Sequence, residues 1–279
     1  MNLLEQAKKM SMIYKSNPKL DVIFVGGSVS RGWDDRFSDI ELFLIWDEPP
    51  DDEDRMDPIK AVNGTILDFH PYEEGEWSET YLADGTKFEI SSFLTSTIEA
   101  YIQSMTKGDI SLDKQCLIGA FADGLPLKGE RQFGNHAESL FPYPKILKDN
   151  LILHFFNFDG RWQNREALIH RRDSLFLHSL LVEVSQKLII TLSAVNDMYI
   201  HHPGLKWLRE TCERMGARPD HLTERIHRLL TYTDPARSVE ELEGLIAETG
   251  QLLQDRLPHL DLTDQLERAK AVRPGVKGD

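Results

Sequence analysis

Continuous and alternating apolar runs dominate the first half of the chain, and helical spacing dominates the second. Leu3 to Tyr14 carries apolar residues at helical spacing and is expected to be a helix. Two runs follow, Leu20 to Val25 and Ile40 to Trp46, rich in β-branched residues and bounded by polar positions, which predicts two strands. Ser28 to Arg36, between them, reads as a turn and a short helix. The acidic run Asp47 to Asp54 is broken by Pro49-Pro50 and is expected to be a solvated loop. Strand-like segments recur at Gly64 to Tyr72, Trp77 to Leu82 and Thr86 to Phe93, with Asp84-Gly85 as a hairpin turn between the last two. Helical periodicity resumes near Thr97 with Ile98, Tyr101, Ile102 and Met105, while Leu117 to Phe121 fits either an edge strand or a helix end. Gly124 to Leu127, Gly129 to Gly134 and Pro142-Tyr143-Pro144 read as an exit from a first domain.

From Lys145 onward strand signals vanish. Leu151 to Phe158, Arg165 to Tyr199, Leu205 to Met215, His221 to Tyr232 and Ser238 to Leu257 read as helices, the last opening on a Ser238-Val239-Glu240-Glu241 capping box. Leu175 to Ile190 is apolar around most of its circumference, which predicts the centre of a bundle. The tail from Arg268, with Pro274-Gly275 and Gly278-Asp279, reads as mobile. The expected fold class is α+β: a small mixed-sheet domain over residues 1–140 and a helical bundle over residues 141–279.

Chemistry concentrates between the first two strands, in Val25-Gly26-Gly27-Ser28, a ten-residue spacer from Val29 to Ser38, and Asp39-Ile40-Glu41-Leu42. Side chains alternate along a strand, so Asp39 and Glu41 project from one face with Ile40 on the other. Two carboxylates so placed repel each other unless a cation sits between them. Mg²⁺ suits that place, because it takes hard oxygen ligands and keeps phosphate oxygens in its shell. The Gly-Gly-Ser turn offers backbone N–H groups with little bulk, which suits a triphosphate. Rival glycine motifs fit poorly: there is no Lys-Ser/Thr pair for a P-loop and no Gly-x-Gly-x-x-Gly order.

This combination resembles the nucleotidyltransferase superfamily, the polymerase-β-like group, whose signature is hydrophobic-Gly-Gly/Ser, a spacer, then Asp-h-Asp/Glu-h. The resemblance in motif covers residues 20 to 95, and the architecture is similar to that of bacterial aminoglycoside and lincosamide nucleotidyltransferases. It implies a Mg²⁺-dependent enzyme that moves a nucleoside monophosphate, AMP from ATP, onto a hydroxyl of a small molecule, an antibiotic among the candidates. It implies that Asp39 and Glu41 hold metal, and that Gly27 and Ser28 hold phosphate with help from Arg31. A third carboxylate is then required on a neighbouring strand. Glu89 and Asp68, each an acid in an apolar strand, compete for it, and family order favours Glu89 as the general base. The helical domain of similar enzymes supplies a basic residue. Lys206, at a helix start where a cation is disfavoured, is the candidate, with Arg171, Arg172 and Asp173 behind it. The rival readings are transfer to a protein or a tRNA, and a degenerate nucleotide-binding protein without catalysis.

Composition narrows these options. Hydrophobic content of 41% with five Trp and thirteen Phe supports packed cores. The net charge of −14 argues against a nucleic-acid partner and admits a cationic acceptor, though acidity also simply serves solubility. Cys116 and Cys212 form no metal or disulfide pattern, the N-terminus lacks a signal-peptide pattern, and no charge-free stretch reaches membrane length, so a cytoplasmic protein is expected.

Overall fold

The computed structural model describes residues 2–204 and 206–274. The chain forms two compact units, residues 1–107 with 113–144 and residues 108–112 with 145–279. The fold is α+β, with all the sheet in the first unit.

In chain order the first unit runs α1 (Leu3–Tyr14), β1 (Leu20–Val25), α2 (Gly27–Arg31), β2 (Ile40–Trp46), α3 (Asp52–Ala61), β3 (Thr65–Glu73), β4 (Glu76–Ala83) and β5 (Thr86–Leu94), then α4 (Thr95–Thr106), α5 (Leu112–Asp123), β6 (Leu125–Lys128) and α6 (Glu130–Glu138). The strands form one mixed sheet in the order β3-β4-β5-β2-β1-β6. Neighbours pair antiparallel except β2 and β5, which run parallel. A central strand covered on both faces needs apolar residues throughout, which is why β1 and β2 read as near-continuous runs. On one face Ile40, Leu42, Leu44 and Trp46 join Ile23, Val25, Tyr81 and Ile90 against Ala7, Met10 and Tyr14 of α1 and Ile59 of α3. On the other, Phe24 stacks on Phe43 with ring centroids 4.8 Å apart and meets Phe121 of α5 and Phe133 of α6 at 4.5 and 5.2 Å. Each such buried side chain contributes about 1.5–3 kcal/mol relative to exposure. Those two layers hold β2 rigidly between them.

Two sequence expectations change here, and one that was open is decided in favour of a helix end. The acidic run is not all loop: Asp51 caps α3, its side chain accepting from Asp54 N–H while the Asp54 side chain accepts from Asp51 N–H. Acids in a first helical turn complement the positive end of the helix dipole, so the charge cluster that looked like a loop is a helix start. Leu117 to Phe121 lies inside α5, and Leu125 to Lys128 is an edge strand paired with β1 rather than a domain exit. At the opposite edge, β3 is largely exposed, and its pairing with β4 shifts register twice, between Ile66 and Asp68 and between His70 and Glu73.

Beneath β4 lies a buried ion pair. Arg55 of α3 donates from Nε to Glu79 Oε2 at 2.9 Å, and its Nη2 donates to the carbonyls of His70 at 2.6 Å and Ser78 at 3.1 Å. Its guanidinium also lies over the Phe69 ring, 4.0 Å from the centroid. Burial pushes the Glu79 carboxyl up to about 7, against the lowering effect of Arg55. The same burial, with Tyr81 and Glu79 close by, raises the Tyr14 phenol well above its usual range.

The second unit is helical: α7 (Lys145–Phe155), α8 (Gly160–Gln163), α9 (Arg165–Arg171), α10 (Ser174–Val195), α11 (Leu208–Glu213), α12 (Leu222–Leu229), α13 (Pro235–Arg256) and α14 (Thr263–Lys270). As expected, α10 is central, packing on α7, α9 and α13. It is long and apolar enough to cross a membrane by length and composition alone; the stretch from Leu177 onward buries one face among those helices, while Leu175 and Phe176 at its start are exposed. The expected continuous helix from Arg165 to Tyr199 is two helices. Arg172 takes a left-handed conformation (φ 61°), and its N–H caps α9 by donating to the carbonyls of Ile169 and Leu168. The expected capping box at Ser238 is also absent. The helix α13 starts at Pro235 behind the Asp234 cap, and Ser238 is buried within it, donating to the Leu229 carbonyl at 2.6 Å. Nor is the tail free from Arg268. Trp162 Nε1 donates to the Ala269 carbonyl at 2.9 Å, and Arg165 reaches Glu243 Oε1 at 2.6 Å and the Ala271 carbonyl at 2.8 Å. Residues 275–279 of that expectation lie outside the described residues.

Candidate active site

The glycine turn and the acids meet at the start of β2. Gly26 extends the β1–β2 pairing, donating its N–H to the Glu41 carbonyl at 3.0 Å. Gly27 then turns with φ +63°, a region that costs an L side chain energy, and a Cβ built there would fall 2.3 Å from Glu41 Oε1. The Glu41 carboxylate therefore rests directly against the Gly27 backbone, and only glycine allows that approach. Ser28 follows, buried in the first turn of α2.

Register decides which acids are neighbours. In the parallel pair β2–β5, Ile40 faces Phe88 and Glu41 faces Glu89. Paired residues share a sheet face and alternate residues share it too, so Asp39, Glu41, Lys87 and Glu89 all project to one side. Lys87 sits among them. Its ammonium donates to Asp39 Oδ2 at 3.2 Å and forms a hydrogen-bonded ion pair with Glu89 Oε1. The Lys87, Asp39 and Glu89 side chains are 40%, 24% and 42% exposed, so the cluster lies at the surface of the unit. Hydrogen bonding to Glu89 above all, and to Asp39 as well, raises the Lys87 pKa; partial desolvation opposes it.

Asp68 shares the face at a distance. It pairs with Thr80, which pairs with Glu89, so two strand spacings separate Asp68 from Glu89 and three from Glu41. Strands lie about 4.8 Å apart, which puts Asp68 roughly 10 Å from Glu89 in backbone terms. Its carboxylate is engaged locally, Oδ2 with His70 Nε2 at 2.8 Å and Oδ1 with Phe69 N–H at 3.0 Å.

The Arg31 side chain is 6% exposed and spends its Nε on Asp123 Oδ2 of α5 at 2.9 Å, with its guanidinium 5.5 Å from the Trp33 ring centroid. It braces α2 against α5 and is not a free cation over the turn. Lys206 belongs to the second unit, ahead of α11, where it lines a cavity of about 20 Å³ with Gln186, His201, His202 and Thr211. Arg172 and Asp173 form the corner between α9 and α10, and Arg171 ends α9. Burial pushes the Cys116 thiol on α5 up to about 11, away from the thiolate form.

Sequence reasoning passed over Lys87 and Asp123. Lys87 had a signal, because alternation puts a residue two before Glu89 on the same face. Asp123 had none, standing 92 residues from its partner.

Among the described residues no three acids, histidines or cysteines close around a single metal position. The donor set nonetheless fits a hard divalent cation: two carboxylates already converge on one ammonium, and Glu41 lies on the same face. No family model and no curated protein matches the chain. Among solved structures the chain is similar to a nucleotidyltransferase-like protein from Exiguobacterium sibiricum, with 12% identity over 92% of this chain and 81% of that one, and a TM-score of 0.41. A likeness at that score decides nothing about this chain.

Proposed function

We propose that this chain is a Mg²⁺-dependent nucleotidyltransferase that moves AMP from ATP onto a hydroxyl of a small molecule. The observation that supports this most is the Gly27 turn pressed on Glu41, with Asp39 and Glu89 on the same face of adjacent strands. Asp39 and Glu41 are the proposed metal ligands, and bound Mg²⁺ would supply the positive charge that phosphate oxygens need. Gly27 and Ser28 offer a backbone N–H and a hydroxyl to the terminal phosphates. Glu89 takes the proton of the acceptor hydroxyl as its oxygen bonds to the α-phosphorus, and the bond to pyrophosphate breaks. Arg31 contributes through the Asp123 brace that fixes α2, and Lys206 is retained as the basic residue of the helical unit. A cationic acceptor such as an aminoglycoside suits the net charge of −14.

One observation favours a second reading. The Lys87 ammonium already neutralises Asp39 and Glu89, as it would in a protein that kept the fold without binding metal. Incubation of wild type and Asp39→Asn with ATP, GTP, CTP or UTP, Mg²⁺ and a panel of aminoglycosides and lincosamides separates the two. Pyrophosphate release by wild type alone, strongest with ATP, is expected; no release with any nucleotide would leave the non-catalytic reading standing.

A further inference from the structure

The acids of the site already have a counter-ion, and it is covalently part of the chain. Lys87 lies two residues before Glu89 on β5, so strand alternation puts both on one face. The parallel register carries the same face across to β2, where Ile40 faces Phe88 and Asp39 stands one residue earlier. The Lys87 ammonium can therefore reach both carboxylates at once, 3.2 Å from Asp39 Oδ2 and hydrogen-bonded to Glu89 Oε1. Without it, Asp39 and Glu89 would stand beside each other as like charges at the edge of a packed core, which is costly. An ammonium and a divalent cation compete for these carboxylates, because both draw on the same negative charge and repel each other at that separation. The four-carbon stem is flexible and the side chain is 40% exposed, so the ammonium can withdraw to water without disturbing the sheet.

We infer that Lys87 is a built-in counter-cation of the metal-free site, and that a divalent metal binds only by displacing its ammonium from Asp39 and Glu89. This rests on the proposed metal-binding role of that acid cluster. It sets the metal affinity of the protein below that of the bare carboxylates, so the acids stay neutralised when metal is scarce. It also couples metal arrival to release of Glu89 from its ion pair, so the proposed proton acceptor is freed only when the site is charged with metal.

The test is Mn²⁺ titration of the full chain, followed by electron paramagnetic resonance, in wild type, Lys87→Met and Lys87→Arg. Lys60→Met is the control for loss of a remote surface charge, since Lys60 lies on α3 and pairs with its helix neighbour Asp57. Lys87→Met is expected to bind Mn²⁺ roughly tenfold tighter or more, a size typical of direct coupling between ligands. Lys60→Met should stay within about twofold of wild type, as exposed pairs matter little, and Lys87→Arg should not gain. In EDTA, Lys87→Met should unfold at a lower temperature than wild type and recover when Mn²⁺ is added. If Lys87→Met does not fold, Lys87→Gln gives the same comparison. Equal or weaker Mn²⁺ binding by Lys87→Met, or an equal gain in Lys60→Met, overturns the inference. Pyrophosphate release is scored separately. A tenfold gain without turnover in either protein keeps the counter-cation and removes nucleotidyl transfer, and turnover without a gain does the reverse.

Discussion

Substituting Gly27 by Ala separates backbone strain from site geometry. The new Cβ sits at φ +63°, where an L residue loses about 1–2 kcal/mol. It also falls 2.3 Å from Glu41 Oε1, 2.5 Å from Cδ and 2.8 Å from Oε2. Ordinary contact begins near 3.4 Å, so the carboxylate must recede by about 1 Å. The clashing atoms are the free end of a side chain, so relief comes from rotating Glu41 at about 0.5–1.5 kcal/mol rather than from moving the sheet. Gly32 provides the control: it has φ +70° and nothing within 4 Å of a built Cβ, so Gly32→Ala carries the strain without the clash. Urea unfolding should place the two variants within about 1.5 kcal/mol of each other. Mn²⁺ affinity and pyrophosphate release should separate them, because a 1 Å misplacement of a reacting group costs roughly 100-fold. Gly27→Ala with the turnover and metal affinity of Gly32→Ala would refute the reasoning, and so would a stability gap of several kcal/mol.

Other substitutions probe the remaining features. Glu89→Gln should retain nucleotide binding and lose turnover, whereas Asp68→Asn, two strands away and engaged with His70, should be mild; the reverse order in a pyrophosphate assay would move the general base to Asp68. Arg55→Met strips the partner from Glu79 and should cost about 3–5 kcal/mol above pH 7, where the carboxyl is ionised, with Arg55→Met/Glu79→Gln recovering most of it in urea unfolding. Glu79 keeps its proton in the folded state up to about pH 7 but loses it near the ordinary 4.5 when unfolded, so the folded state binds more protons within that window. Its contribution to stability is therefore largest at the acid side and falls by about 3 kcal/mol as pH rises through the window. Glu79→Gln should flatten that fall, and an unchanged slope in unfolding at several pH values would contradict it.

Local pattern announced much of this fold, and contacts between distant segments hid the rest. The bounds of α1, β1 and β2 follow from apolar spacing because each buries a full face. The start of α3 was disguised by its own cap, since an acidic run reads as loop until Asp51 and Asp54 are seen to exchange hydrogen bonds with each other's backbone. The break at Arg172 was invisible because apolar spacing continues on both sides of a left-handed residue. At the site, alternation was enough to put Asp39 and Glu41 on one face. The side-by-side placement of Glu41 and Glu89 needed the parallel β2–β5 pairing, which no local pattern encodes. Lys87 was legible by the same alternation, two residues before Glu89; Asp123 could emerge only from tertiary packing.

The register slips in β3 bear on how the protein behaves in a crowded solution. A long flat edge strand invites a neighbouring chain to add its own strand, and β3 carries the exposed apolar side chains Ile66, Leu67 and Tyr72 that would reward the addition. Two irregularities along its length break the row of free amides and carbonyls into pieces too short to template another ladder. At the far edge β6 spans only Leu125–Lys128 and holds Pro126, which has no amide to offer. Both borders of the sheet are thus guarded against runaway self-association by backbone irregularity, leaving the exposed side chains of β3 free to vary without turning the domain into a seed for fibres.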